Sequence, residues 1–207
     1  IRQAVEGGET RYVDWVIPGI LGMNMMFSAL YGVGYTIVRY RKNGVLKRLK
    51  ATPVTAFEFL TAQVFSRLLL IQLIFVIVFA SCSWLVDFKM RGSYALLFGF
   101  FSLGSLCMIS LSVVIAARIS NEEFAEGLLN VLSWPMMFLS GVWFSLEGAS
   151  PVVRKIAQVL PLTHIVDGAR AIMIDGAGAA AIMPQVGLLA ILTVVFLALG
   201  SVLFRWN

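Results

Sequence analysis

Charge is what this 207-residue chain has least of. Acidic and basic residues together make up 13% of it, beside 59% hydrophobic residues, whereas an ordinary soluble domain is about 25% charged. That excludes a water-soluble globule and points to an integral membrane protein. Histidine is nearly absent: His164 stands alone, with no cysteine or second histidine nearby to complete a zinc site. The two cysteines, Cys82 and Cys107, lie inside apolar runs and offer no disulfide framework. No G-x-x-x-x-G-K-[ST] run occurs, so the chain carries no P-loop of its own. Paired carboxylates and a nucleophile beside a base are missing too, which disfavours a membrane-embedded enzyme. Ser102, Ser105, Ser110 and Ser112 have no base near them and read as helix-packing residues.

What the chain does have is long uncharged runs. A bilayer core about 30 Å thick takes roughly 20 apolar residues at 1.5 Å each. Five stretches qualify: residues 17–38, 68–86, 95–117, 127–146 and 184–204, called spans A to E. None contains Asp, Glu, Lys or Arg. The expected fold is all-α, a single polytopic membrane helix bundle over residues 1–207. The start, IRQAVEGGETRYVDW, has neither an initiator methionine nor a signal peptide's regions, and an N-terminally truncated piece is expected.

The basic residues are concentrated. Between spans A and B stand Arg39, Arg41, Lys42, Lys47, Arg48, Lys50 and Arg67, with Glu58 the single acid among them. The positive-inside bias therefore places this loop in the cytosol, the N-terminus outside and the C-terminus with Arg205 inside. The B–C loop (Lys89, Arg91), the C–D loop (Arg118) and the D–E segment (Arg154, Lys155, Arg170) hold fewer basic residues. A net charge of +5 distributed in this way follows membrane topology, and no nucleic acid partner is expected.

The A–B loop also has a pattern beyond charge. Leu46, Leu49, Phe57, Leu60 and Val64 recur at near-helical spacing. Gly44 interrupts the basic run, Thr52-Pro53 reads as an N-cap with proline at the first helical position, and Thr55 with Glu58 offers a capping box as a second start. A helix continuing from here to Val86 is expected. An interfacial helix snorkelling its cations to lipid phosphates remains an alternative.

Ser120 and Glu123 give a capping box for a helix leading into span D, where Trp134-Pro135 predicts a kink. Residues 147–183 predict two short outer amphipathic helices. Ser150-Pro151 caps the first, with Val153, Ile156 and Leu160 on its apolar face, and Pro161 ends it. The second runs from about Thr163 to Met173, with Asp167 and Arg170 spaced to pair. Asn24, Gln72 and Asn130 either line a substrate path or serve as interhelical glue.

Three stretches, NGVLKRLKATPVTAFEFL, FLSGVWFSLEGASP and IAQVLPLTHIVDGAR, together resemble the type-2 permeases of ATP-binding-cassette exporters, in matching order across residues 12–204. The resemblance implies six spans, with one preceding span A, in a bacterial inner membrane. Tyr40 departs from the acidic residue common before the arginine, here Arg41, and Ser145 from a common proline, which would leave the end of span D straighter. By resemblance the A–B loop is a coupling helix docking on a separate P-loop ATPase through Arg41, Gly44, Leu46, Lys47, Arg48, Leu49, Thr52, Pro53 and Glu58. Glu122 and Glu123 make a minor second contact. ATP and magnesium would then be bound by that partner and not by this chain. The outer residues Pro135, Gly141, Pro161, His164, Asp167 and Arg170 would gate the exit of an amphipathic or lipid-like cargo. A second permease copy and membrane lipid are the other implied partners. The rival reading is a membrane scaffold or regulatory protein whose basic loop binds anionic lipid.

Overall fold

A computed structural model describes residues 11–86, 88, 90–146 and 148–203. Arg2, Lys89, Phe204 and Arg205, and the side chains of Lys50 and Phe57, lie outside that description. Among the described residues eight helices follow in order: α1 Tyr12–Lys42, α2 Val45–Lys50, α3 Ala56–Val86, α4 Tyr94–Ala116, α5 Glu122–Leu139, α6 Pro151–Val159, α7 Pro161–Met173 and α8 Met183–Leu203.

Four of these, α1, α3 (from Glu58), α4 and α8, are long and apolar enough to cross a membrane. They correspond to spans A, B, C and E. Span D is the correction. Its helix stops at Leu139, seven residues before the expected end, because Ser140 leaves helical geometry and Gly141 turns at φ +68°. Glu122, Glu123 and Glu126 occupy its opening turns. The uncharged remainder, residues 127–139, is about 20 Å long, short of the roughly 30 Å of bilayer core. The straight outer end expected from Ser145 is likewise not found, since the chain has already turned at Gly141.

The core forms around α4. Phe101, Cys107, Met108 and Ile109 on it are fully buried, and α1, α3, α7 and α8 all pack against it. Its serines turn inward upon their own helix: Ser105 Oγ donates to Phe101 O at 2.7 Å, Ser110 Oγ to Leu106 O at 2.6 Å and Ser112 Oγ to Ile109 O at 2.9 Å. Each hydroxyl is thereby satisfied without a partner helix, leaving a small surface for close packing. By contrast α3 and α8 bury one edge only. Leu69, Leu73, Ile77 and Trp84 on α3, and Ile191, Val194 and Val202 on α8, are exposed apolar side chains, as expected of helices that meet lipid or another chain.

The two short outer helices are segments expected to lie in the interface or dip into it, and the second dips in: α7 enters the bundle, with Leu162, Ile165, Val166, Ala169, Ile172 and Met173 all fully buried. Glycines make that approach possible: a methyl group on Gly22 of α1 would sit 3.1 Å from Val166, and one on Gly104 of α4 3.1 Å from Ile165. Gly168 of α7 lies so close to the Phe100 ring that a Cβ there would be 2.3 Å from it. The first of the two outer helices, α6, stays peripheral, burying Ala157 while Val152, Ile156 and Val159 are exposed. Of its expected apolar face, Val153 and Leu160 are half-buried.

Three helix starts refine the sequence reading. The Thr55–Glu58 capping box is the one used: Thr55 N donates to Glu58 Oε2 at 2.8 Å and Glu58 N to Thr55 Oγ1 at 3.3 Å. Thr52 instead closes α2, its hydroxyl donating to Leu49 O at 2.6 Å, and Pro53 lies in the exposed non-helical link. At α5 the cap is Asn121, not Ser120, accepting from Glu123 N at 2.9 Å and Phe124 N at 3.3 Å. An amide side chain one residue on reaches the same orphan N–H groups.

Candidate functional site

Two clusters stand at opposite ends of the bundle. At the basic end, α1 runs out into Arg41 and Lys42, and Gly44 turns the chain into α2 at φ +69°, a left-handed conformation that glycine adopts without steric penalty. Arg41 is only 7% exposed. Its guanidinium donates to Ala116 O at 2.8 Å, to Ala117 O at 2.9 Å and to Ile119 O. The last carbonyls of a helix have no intrahelical donors and carry the negative end of its dipole, so a planar fork of N–H groups is well suited to close α4. Lys42 Nζ then meets Glu122 Oε2 at 3.2 Å. The two predicted contact regions, Arg41 on one and Glu122 on the other, are therefore joined to each other.

The remaining predicted coupling residues divide by burial. Leu46 is completely buried within the chain and Leu49 half-buried, whereas Lys47, Arg48, Thr52, Pro53, Glu58 and Glu123 are exposed. What α2 offers outward is thus mainly charge. From Thr55 a single 31-residue helix, α3, leaves this end.

Between the two ends, α1 widens into a π-helical stretch, Leu30–Tyr35. Such stretches mark an inserted residue and often a functional bend. Tyr31 donates from its hydroxyl to Asn130 Oδ1 on α5 at 2.7 Å, and Arg67 of α3 reaches Thr36 Oγ1 at 3.4 Å beside Gly32. The predicted path residues do not converge. Asn130 pairs with Tyr31, Gln72 donates to Ser105 Oγ at 3.5 Å, and Asn24 lines a narrow crevice between α1 and α3.

At the end opposite the basic loop, Arg170 gathers three elements. It donates to Gly141 O at 2.6 Å and to Trp15 O at 3.3 Å, and its guanidinium lies 3.6 Å over the Trp15 ring. Burial lowers its pKa to about 10, an effect that the field of Asp167 opposes, so it stays charged at neutral pH. The expected Asp167–Arg170 pairing is electrostatic only, because the guanidinium bonds to backbone carbonyls. Thr163 donates to Ser140 Oγ at 3.1 Å, and His164 Nε2 bonds Gln158 O at 2.7 Å. Arg170, Trp15, Gly141, Asp167, Thr163, Ser140 and Gln158 border a cavity of about 350 Å³, which His164 does not line. Of the predicted gate residues, Gly141, Asp167 and Arg170 line it. Pro161 starts α7 and is buried, and Pro135 lies on the exposed side of α5. Sequence reasoning missed Trp15, Ser140, Arg154 and Thr163 as cavity residues. Only the placement of Trp15 at the mouth of a span hinted at such a role.

A polytopic helical bundle with lipid-ready spans and polar clusters at both ends defines an integral membrane protein. Residues 3–174 match the family described as ABC-2 type transporter, and the chain belongs to that family. It is 22% identical over 191 residues to the "Probable multidrug ABC transporter permease YbhS" of Escherichia coli K12, covering 92% of this chain and 48% of that protein. It is 27% identical over 189 residues to the "Inner membrane transport permease YhhJ" of the same organism, covering 88% and 49%. The "Linearmycin resistance permease protein LnrN" of Bacillus subtilis is 26% identical over 181 residues, covering 86% and 47%. The chain spans about half the length of these curated relatives.

Proposed function

We propose that this chain is the transmembrane part of an ATP-driven exporter in a bacterial inner membrane. It acts as one of two permease copies, each served by a separate P-loop ATPase that binds ATP and magnesium. The observation that carries this reading is the Arg41 clamp. By fastening the end of α1 to the α4–α5 loop, it ties the ends of three helices together at the basic end, and α2 with the short non-helical link 51–55 leads from there into α3. Lys47 and Arg48, exposed on α2, face the cytosol and meet the ATPase. A displacement there is then delivered to several spans together. Such a displacement favours one bundle arrangement only if the contacts differ between the two states.

Other features support the same reading. The exposed stripe Phe124, Leu128, Val131, Trp134 and Phe138 on α5 offers the second copy an apolar face. Names of relatives that speak of multidrug transport and linearmycin resistance favour outward movement of an amphipathic or lipid-like cargo. The end carrying Arg170 is then the outer end and its cavity the exit.

Co-purification tests the reading. The permease should retain a P-loop ATPase, and Lys47→Glu with Arg48→Glu should release it while leaving the permease folded. Undiminished recovery of the ATPase, with loss only of binding to anionic vesicles, would instead establish the lipid-binding scaffold. Replacing Leu46 is a poor probe, since that side chain is buried within the chain itself.

A further inference from the structure

The cavity at the Arg170 end holds two charged side chains that make no direct bond, although the field of Arg170 reaches one of them, Asp167. Arg170 is engaged by Gly141 O, Trp15 O and the indole face, and Ser140 and Thr163 bond each other. That leaves Arg154 of α6 and Asp167 of α7. Both are exposed to the cavity and, among the described residues, neither side chain makes a hydrogen bond or ion pair. Opposite charges thus line one concave space without meeting. A volume of about 350 Å³ falls within the roughly 300 to 1,000 Å³ of small-molecule clefts.

A simple anion on Arg154 would leave Asp167 without a bonded partner. A simple cation drawn to Asp167 would face both Arg154 and Arg170. A ligand carrying both signs a few atoms apart satisfies Arg154 and Asp167 together, while Trp15 and Leu146 give its uncharged portion an apolar wall. We propose that this cavity binds a zwitterionic phosphate–amine headgroup of the phosphoethanolamine type, its phosphate on Arg154 and its ammonium on Asp167. The headgroup belongs either to a membrane lipid resident at the site or to the cargo itself. The assignment is independent of ATPase coupling, because it concerns binding without nucleotide.

The test uses the full-length permease in complex with its ATPase, in detergent, titrated calorimetrically with sn-glycero-3-phosphoethanolamine, glycerol 3-phosphate and ethanolamine. The zwitterion should bind at least about ten-fold more tightly than either half-molecule, equivalent to about 1.4 kcal/mol. Asp167→Asn should abolish its advantage over glycerol 3-phosphate, and Arg154→Gln its advantage over ethanolamine. Equal binding of the three probes by the wild-type complex overturns the proposal, with no variant needed. So does unchanged affinity for the zwitterion in both variants. In vesicles loaded with phosphatidylethanolamine in one leaflet, ATP-dependent appearance of its amine in the other identifies cargo. Co-purification of that lipid without such movement identifies a resident lipid, and either result supports the site. Loss of the ATPase on purification would count against the exporter reading and leave probe binding intact.

Discussion

Arg41 and Arg170 perform the same local task at opposite ends of the bundle and have different surroundings. Each directs its guanidinium at backbone carbonyls of a neighbouring segment where a helix ends: Arg41 beyond α4, Arg170 beyond α5. Around Arg41 there is only protein, and the result is a joint. Around Arg170 a cavity opens, and one face of the cation is taken by the Trp15 indole. A dry arginine holding three carbonyls serves rigidity, while one bordering a cavity both holds the wall together and colours the space beside it with charge. The difference arises from the segments that follow. Residues 117–121 turn tightly into α5, whereas the chain after Gly141 swings outward to α6 before α7 returns into the bundle.

That contrast can be broken most sharply at Arg41. Arg41→Ala should destabilise the protein by roughly 3 kcal/mol or more, because buried carbonyls left without donors cost about 1 to 3 kcal/mol each. Thermal unfolding in detergent, followed by tryptophan fluorescence, measures this. Arg41→Lys should not restore stability, since an ammonium cannot reproduce the planar fork. Next in size is Gly168→Ala, which places a methyl group against Phe100 and should cost about 2 to 3 kcal/mol through overpacking. A loss below a few tenths of a kcal/mol would show that α7 is not wedged against α4.

Arg170→Ala should cost less than Arg41→Ala, about 1 to 2 kcal/mol, since water in the cavity can take over the freed carbonyls and part of the loss is a cation–π contact. Equal losses at the two arginines, read in the same unfolding assay, would erase the distinction between joint and cavity wall. The smallest effect is expected at Lys42 and Glu122, half-exposed and largely screened. A double-mutant cycle to alanine should give a coupling of at most about 0.5 kcal/mol.

Much of this architecture was legible as a pattern of uncharged runs. Spans A, B, C and E each fall on a helix long and apolar enough to cross a membrane, because the exclusion of charge from hydrocarbon is a property of the chain alone. The continuation of the A–B helix into span B was legible for the same reason: nothing between Glu58 and Val86 interrupts helical propensity. Span D misled because hydropathy ignores backbone geometry. The run to Leu146 is apolar enough, yet Gly141 turns the chain by left-handed φ. The depth to which α7 enters the bundle was hidden too. Its arginine and aspartate read as an interfacial face, while the room that admits it comes from Gly22 and Gly104 on other helices, far away in sequence.

The candidate sites follow the same division. That Arg41, Lys47, Arg48 and Glu122 belong to the charged end could be read from the order of residues, because clusters of charge must lie outside the bilayer. That Arg41 turns inward to hold the α4–α5 loop, while Lys47 and Arg48 stay exposed, depended on where the carbonyls of α4 came to rest. The amino-acid order by itself determined membrane residence, helix count within one and the polarity of the two ends, since each reflects a solvation free energy carried by individual residues. Tertiary structure alone decided which arginine became a joint, which bordered a cavity, and that Arg154 and Asp167 face the same space. Those outcomes depend on distances between residues remote in the chain, which packing sets.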